Sequence, residues 1–189
     1  IAAMDHLRIN AERLWDSLME LARIGATPKG GVKRLTLTEE DRGARDLFAR
    51  WAREAGLAVE VDAIGNVFAR RAGADPALPP VAIGSHLDSQ PSGGKFDGAY
   101  GVLAGLEVLR TLNEAGVATR APLEVVSWTN EEGSRYTPVM MGSGVFADVF
   151  TLEHARAQKD IEGVTVGDAL QAIGYAGTAR PHRLGAYFE

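Results

Sequence analysis

The sequence predicts an α/β fold in which a mostly parallel sheet carries helices on its faces, and three observations lead there. Residues 81–84 (Val-Ala-Ile-Gly) and 123–128 (Leu-Glu-Val-Val-Ser-Trp) are short apolar runs suited to buried strands. Between them Val102, Leu106, Leu109 and Leu112 recur at helical spacing, and Gly116 stops the pattern. Strand, helix, strand is a βαβ unit, whose crossover makes the two strands parallel. The chain has 189 residues, 46% apolar and 24% charged, which suffices for one domain with a substantial core.

From the N-terminus, Leu7, Leu14, Leu18 and Leu21 followed by Gly25 predict an amphipathic helix over about residues 5–24. Thr38-Glu39-Glu40-Asp41 has the form of a capping box and opens a second helix through Leu47, Phe48 and Trp51 to Gly56. Residues 57–61 and 66–70 alternate as strands do, with Gly65-Asn66 as the bend between them. Residues 72–80, rich in Ala and Pro, read as a surface loop. Beyond the βαβ unit, residues 142–150 match neither period, 165–173 read as a short helix stopped by Gly174, and 186–189 open a strand. Ending there, without an internal repeat or a linker, the sequence reads as a fragment.

Charge and composition narrow the chemistry. A net charge of −5 with no basic block argues against a nucleic-acid partner, because phosphate binding draws on clustered Lys and Arg. The absence of cysteine excludes disulfides, thiolate metal sites and cysteine nucleophiles together, so any metal would sit on nitrogen and oxygen. The N-terminal stretch has charges every few residues and no apolar run, giving the expectation of a cytoplasmic protein without a membrane partner.

In open α/β sheets, ligands bind beyond the carboxyl ends of the strands. His86, Asp88 and Asp97 follow the first strand of the βαβ unit, in a glycine-rich stretch able to turn sharply, and Glu131 and Glu132 follow the second. Parallel neighbours lie roughly 5 Å apart, so the two loops can share one site. Four carboxylates in one place repel one another unless cations lie among them. His86 offers a neutral nitrogen, Asp88 can accept the other ring N–H, and Asp97 has two oxygens to bridge two ions. Of the two glutamates, one can bind metal while the other takes a proton from water. Divalent ions lower the pKa of water from 15.7 to about 7, so hydrolysis is the chemistry this set predicts.

GSHLDSQPSGGKFDGAYGVLAGLEVLRTLNEAG (84–116) followed by EVVSWTNEEGSR (124–135) resembles the two-metal amidohydrolases that act on N-carbamoyl amino acids, N-carbamoyl-β-alanine (β-ureidopropionase, or β-alanine synthase) and allantoate. These are relatives of the aminoacylases and dinuclear zinc carboxypeptidases. The resemblance implies a three-layer α/β/α catalytic domain with a mixed, mostly parallel sheet, of which residues 1–189 are the N-terminal portion. It implies that His86 binds one ion, Asp97 bridges both and Glu132 binds the second, with Glu131 as general base and Asp88 orienting the histidine. Two divalent ions follow, zinc first, with manganese, cobalt or nickel also suited to these donors. Two further metal-binding histidines and an inserted dimerisation domain would lie outside the chain, which implies a homodimer. Gly144 and Asp148 depart from the pattern, where many relatives have arginine and glycine.

The expectation is therefore a hydrolase that cleaves the carbamoyl C–N bond of an N-carbamoyl amino acid, a small-molecule substrate, giving amino acid, ammonia and carbon dioxide. Asp88-Ser89-Gln90-Pro91 favours that branch over allantoate amidohydrolase. An aminoacylase or peptidase with the same metals and a noncatalytic metal-binding module stay open as rival readings. His6, His154 and His182 are expected to be solvated or structural, and Trp15, Trp51, Trp128, Met140 and Met141 to be packing. Arg135 is left between a substrate contact and a salt bridge to the acidic cluster.

Overall fold

A computed structural model describes residues 6–189 and shows five strands and six helices among them. Helix α1 (Ala11–Leu21) begins later than its leucine pattern predicts, because the Asn10 side chain accepts from the Arg13 amide and caps it there. Residue 5, the expected start, lies outside the described residues. Thr38 caps α2 (Glu39–Glu54) by accepting from the Asp41 amide. Strands β1 (Ala58–Val61) and β2 (Val67–Arg71) form an antiparallel hairpin around Gly65-Asn66, as the alternation predicts.

Strand β3 (Val81–His86) runs two residues past its apolar core, so His86 is the strand's last residue rather than part of the loop. Helix α3 (Ala99–Glu114) crosses to β4 (Leu123–Trp128), which pairs parallel with β3 from Val81 opposite Leu123 to His86 opposite Trp128. The ambiguous stretch holds a short helix, α4 (Met141–Phe146). Helix α5 (Leu152–Ala157), capped by Thr151, is not apparent in the sequence pattern, whereas α6 (Val166–Ala172), capped by Thr165, is. Strand β5 (Ala186–Phe188) pairs parallel with β3 at the sheet edge. The sheet order is β1-β2-β4-β3-β5, parallel through β4, β3 and β5 and antiparallel where the hairpin joins through β2.

Period-two alternation sorts the strand residues between two faces. Val67, Ala69 and Val125 face the large core built with Leu14, Leu18 and Leu21 of α1, Phe48 and Trp51 of α2, and Leu103, Leu106 and Leu109 of α3. Burying each of these valine, leucine and phenylalanine side chains stabilises by about 1.5–3 kcal/mol. Phe68, Val126 and Trp128 point the other way, into a small cluster closed by Phe146 of α4. One face therefore carries a full helical layer and the other, among the described residues, a thin one. The fully buried Glu107 of α3 pairs with Arg13 of α1 at 2.7 Å, locking those two helices together.

Candidate active site

Because β3 and β4 are parallel neighbours in register, the segments that leave them emerge side by side. The His86 side chain, only 7% exposed, has its Nδ1 2.8 Å from the backbone carbonyl oxygen of Asp88. A carbonyl only accepts, so the ring proton sits on Nδ1 and Nε2 presents a lone pair. That lone pair faces Glu131 Oε2 at 3.4 Å and Asp97 Oδ1 at 3.9 Å. Gly98 makes room for this ring: at its φ of +66° a side chain is strained, and a Cβ there would lie 2.5 Å from His86 Nδ1.

Asp88 is placed differently from the sequence expectation. Its carboxylate lies 3.7 Å from the His86 ring and accepts instead from the backbone amides of Glu131 at 3.3 Å and Glu132 at 3.2 Å. Orienting the ring thus falls to the Asp88 carbonyl, while the carboxylate staples the β3 loop to the β4 loop. Burial pushes the Asp88 carboxyl up to about 7, with Asp41 adding repulsion and His86 and the two amides opposing. Burial likewise raises Glu131, helped by Glu132 and opposed by His86.

Several residues with no role assigned from sequence hold this arrangement. Arg34, fully buried, donates to the carbonyls of Leu87 at 2.7 Å, Ile24 at 2.8 Å and Leu21 at 3.3 Å; its backbone amide donates to Ser89 Oγ and its carbonyl accepts from the Ser89 amide. Asn66, read from sequence only as a bend, accepts from the Thr129 amide at 2.9 Å and donates to Asp62 and to the Gly142 carbonyl. Arg45 bridges Asp41, the Gly65 carbonyl and Thr129 Oγ1. Gln90 donates to Glu132 Oε2 at 2.8 Å and accepts from Ser134 Oγ at 2.8 Å. A polar residue beside the acidic motifs is the one signal the sequence offers for such a role, and it reaches Gln90 and Ser134 without saying what they do.

Other expectations resolve outside the cluster. Arg135 bonds Asp160 at 3.0 Å and the carbonyls of Thr36 and Leu37, not the acidic cluster. His182 shares a hydrogen bond with the buried Glu124 at 2.8 Å and packs edge-on to Phe68 and Phe146, a structural role. His154 is exposed and bonds Gln158. Trp51, Trp128 and Met141 are buried, whereas Trp15 and Met140 are half exposed.

The donors suit a divalent ion in type, being one imidazole nitrogen and carboxylate oxygens. Glu132 Oε1 is buried without a hydrogen-bond partner, an atom left for something the protein itself does not supply. Among the described residues, no three His, Asp or Glu side chains are gathered tightly enough to hold an ion by themselves. Asp97 is 63% exposed, and Glu132 Oε2 is turned to Gln90.

Comparisons with known proteins give the family and the fold. The profile of Peptidase family M20/M25/M40 matches residues 82–177. An N-carbamoyl-L-amino-acid amidohydrolase of Rhizobium meliloti is 54% identical over 187 residues, covering 98% of this chain and 45% of that protein. The allantoate amidohydrolase of Bacillus subtilis is 38% identical over 160 residues, covering 85% and 39%. The crystal structure of a hydantoinase/carbamoylase family amidase from Burkholderia ambifaria superposes with a TM-score of 0.96 at 61% identity, covering 98% of this chain and 46% of that one. The chain thus spans less than half the length of these relatives. No described helix is long and apolar enough to cross a membrane.

Proposed function

The chain belongs to peptidase family M20/M25/M40, and from that premise we propose that it is the N-terminal portion of the catalytic domain of a metal-dependent amidohydrolase acting on N-carbamoyl amino acids. The reaction is hydrolysis of the carbamoyl C–N bond, releasing amino acid, ammonia and carbon dioxide. One observation carries the reading. The His86 Nε2 lone pair has two carboxylate oxygens within 4 Å, Glu131 Oε2 at 3.4 Å and Asp97 Oδ1 at 3.9 Å, beyond the ends of adjacent parallel strands. Three acceptors so placed repel unless a cation or a proton joins them.

In this reading His86, Asp97 and Glu132 would hold two divalent ions, zinc first. Bound divalent ions supply Lewis acidity that raises the acidity of water and polarises the substrate carbonyl. Glu131, whose carboxyl burial has raised, takes the proton of the attacking water and delivers it to the leaving nitrogen. Asp88 keeps the backbone of Glu131 and Glu132 in place through their amides, and its carbonyl fixes the His86 tautomer. The higher identity to the carbamoylase than to the allantoate enzyme favours the carbamoyl substrate. A homodimer, which rests on the sequence resemblance, and the cytoplasmic setting expected from the charge pattern belong to the same reading.

The test is Glu131→Gln in the full-length protein, with ammonia release followed from N-carbamoyl-β-alanine, N-carbamoyl-L-amino acids and allantoate. Turnover should fall by about 10²-fold or more while metal content is kept, as loss of a general base does. Turnover equal to wild type would remove Glu131 from the role. Ammonia from allantoate alone, or activity only on N-acyl amino acids, would replace the substrate assignment.

A further inference from the structure

Glu132 is gripped at two points. Its backbone amide is held by Asp88, and its side-chain Oε2 accepts from Gln90 Nε2 at 2.8 Å, with a longer bond from the same nitrogen to its own carbonyl at 3.3 Å. Ser134 Oγ then donates to Gln90 Oε1 at 2.8 Å. The amide can face only one way: turned over, its oxygen would meet the Glu132 carboxylate, acceptor against acceptor. Ser134 completes that choice from behind by giving Oε1 a donor. What remains is Glu132 Oε1, buried and without a partner.

We infer that Gln90, set by Ser134, is a positioning residue that ties down one oxygen of Glu132 so that the other is presented to a divalent cation. The inference rests on the reading of Glu132 as an ion ligand. Gln90 suits the task because its amide is neutral. A Lys or Arg in its place would orient the carboxylate equally well but cancel the charge that attracts the cation. The relay also joins the β3 loop to the β4 loop at their exposed rims, where the Asp88 staple joins them deeper down. An unpartnered buried carboxylate oxygen is costly by itself, which is why its partner is expected from outside the chain.

The experiment measures the affinity of the full-length protein for zinc by chelator competition, together with melting of the ion-free protein. Gln90→Leu should lower affinity for one of the two ions by about 10- to 100-fold, the range for loss of an outer partner of a metal ligand, and leave the other ion unchanged. Ser134→Ala should shift affinity the same way by less, and Ser134→Thr, which keeps a hydroxyl, should bind as wild type does. Gln90 is exposed, so melting of the ion-free variants should match wild type. If Gln90→Leu binds both ions like wild type, the positioning role fails. If its ion-free form melts lower in step with the lost affinity, Gln90 is structural and the inference fails as well. If the unaltered protein binds no zinc tightly, it is the underlying reading of the site that falls.

Discussion

The loop that leaves β3 and the loop that leaves β4 carry the same kinds of side chain but are fixed by different means. After β4, Thr129 is anchored through its amide to Asn66 and through its hydroxyl to Arg45. Asn130, at a positive φ of 53°, donates to the carbonyls of Tyr136 and Pro138, and the amides of Met140, Met141 and Gly142 bond back to Glu131, Asn130 and Thr129. Glu131 thus stands on a backbone held from several sides. After β3, residues 87–89 are buried and braced by Arg34, and Gly93 is buried and exchanges backbone hydrogen bonds with Val32; between and beyond them the loop turns to solvent and leaves Asp97 exposed. The fold therefore positions Glu131 and His86 firmly, while Asp97 has little protein around it to hold it. Rigidity is concentrated on the β4 loop and the buried start of the β3 loop, and the exposed stretch around Asp97 is left loosely held.

The contrast breaks most completely at the buried anchor of the β4 loop. Arg45→Met removes the partner of Asp41, whose carboxylate lies 2.8 Å from the Arg45 Nε and is fully buried. Leaving that charge uncompensated should cost about 3–5 kcal/mol, read as a lower urea midpoint of the ion-free protein. A loss below about 1 kcal/mol would mean that the loop is held by its own turns and not by α2.

Acid and base sharpen the comparison at the staple between the loops. The Asp88 carboxyl, raised by burial to about 7 against an ordinary value near 4, is protonated in the folded ion-free protein where the unfolded chain is already ionised. The folded state then binds the extra proton, so its contribution is fully present below about pH 4 and is lost as pH rises through about 7. The difference in unfolding free energy between wild type and Asp88→Asn, measured with chelator present, should fall across that window by at most about 4 kcal/mol. A difference that does not vary with pH would show that the two Glu amides, and not burial, govern this carboxyl.

How much of this is legible in the sequence follows the range over which each signal acts. Apolar runs and helical spacing are local, so the βαβ unit and the adjacency of His86 to the Glu131-Glu132 pair can be read from residues 81–132. Arg34, Arg45 and Asn66 act on partners 53, 84 and 63 positions away, and no period or motif records such contacts. The Asp88 carboxylate departs from its expected role for the same reason. Proximity in sequence favours its neighbour His86, whereas the folded chain offers it two amides from another loop. Arg135 likewise finds Asp160, 25 residues on, in place of the acidic residues beside it. The short helix α5 escapes the pattern because six residues are too few to show a period.

The smallest expected effect on stability tests the other side of the comparison. Asp97→Asn alters a side chain that is 63% exposed and stands 3.9 Å from the His86 ring. Substitutions at such positions usually change stability within about ±0.5 kcal/mol, so the ion-free variant should melt with wild type. If Asp97 is the bridge between two ions, the same change should nonetheless abolish tight binding of at least one of them, because an amide offers one weakly basic oxygen where the carboxylate offers two charged ones. Stability and ion binding would then separate completely at this residue, whereas at Arg45 they should fall together. Should Asp97→Asn instead destabilise the ion-free protein as Arg45→Met does, the exposed half of the β3 loop would be held by the fold after all, and the division of labour between the two loops would have to be abandoned.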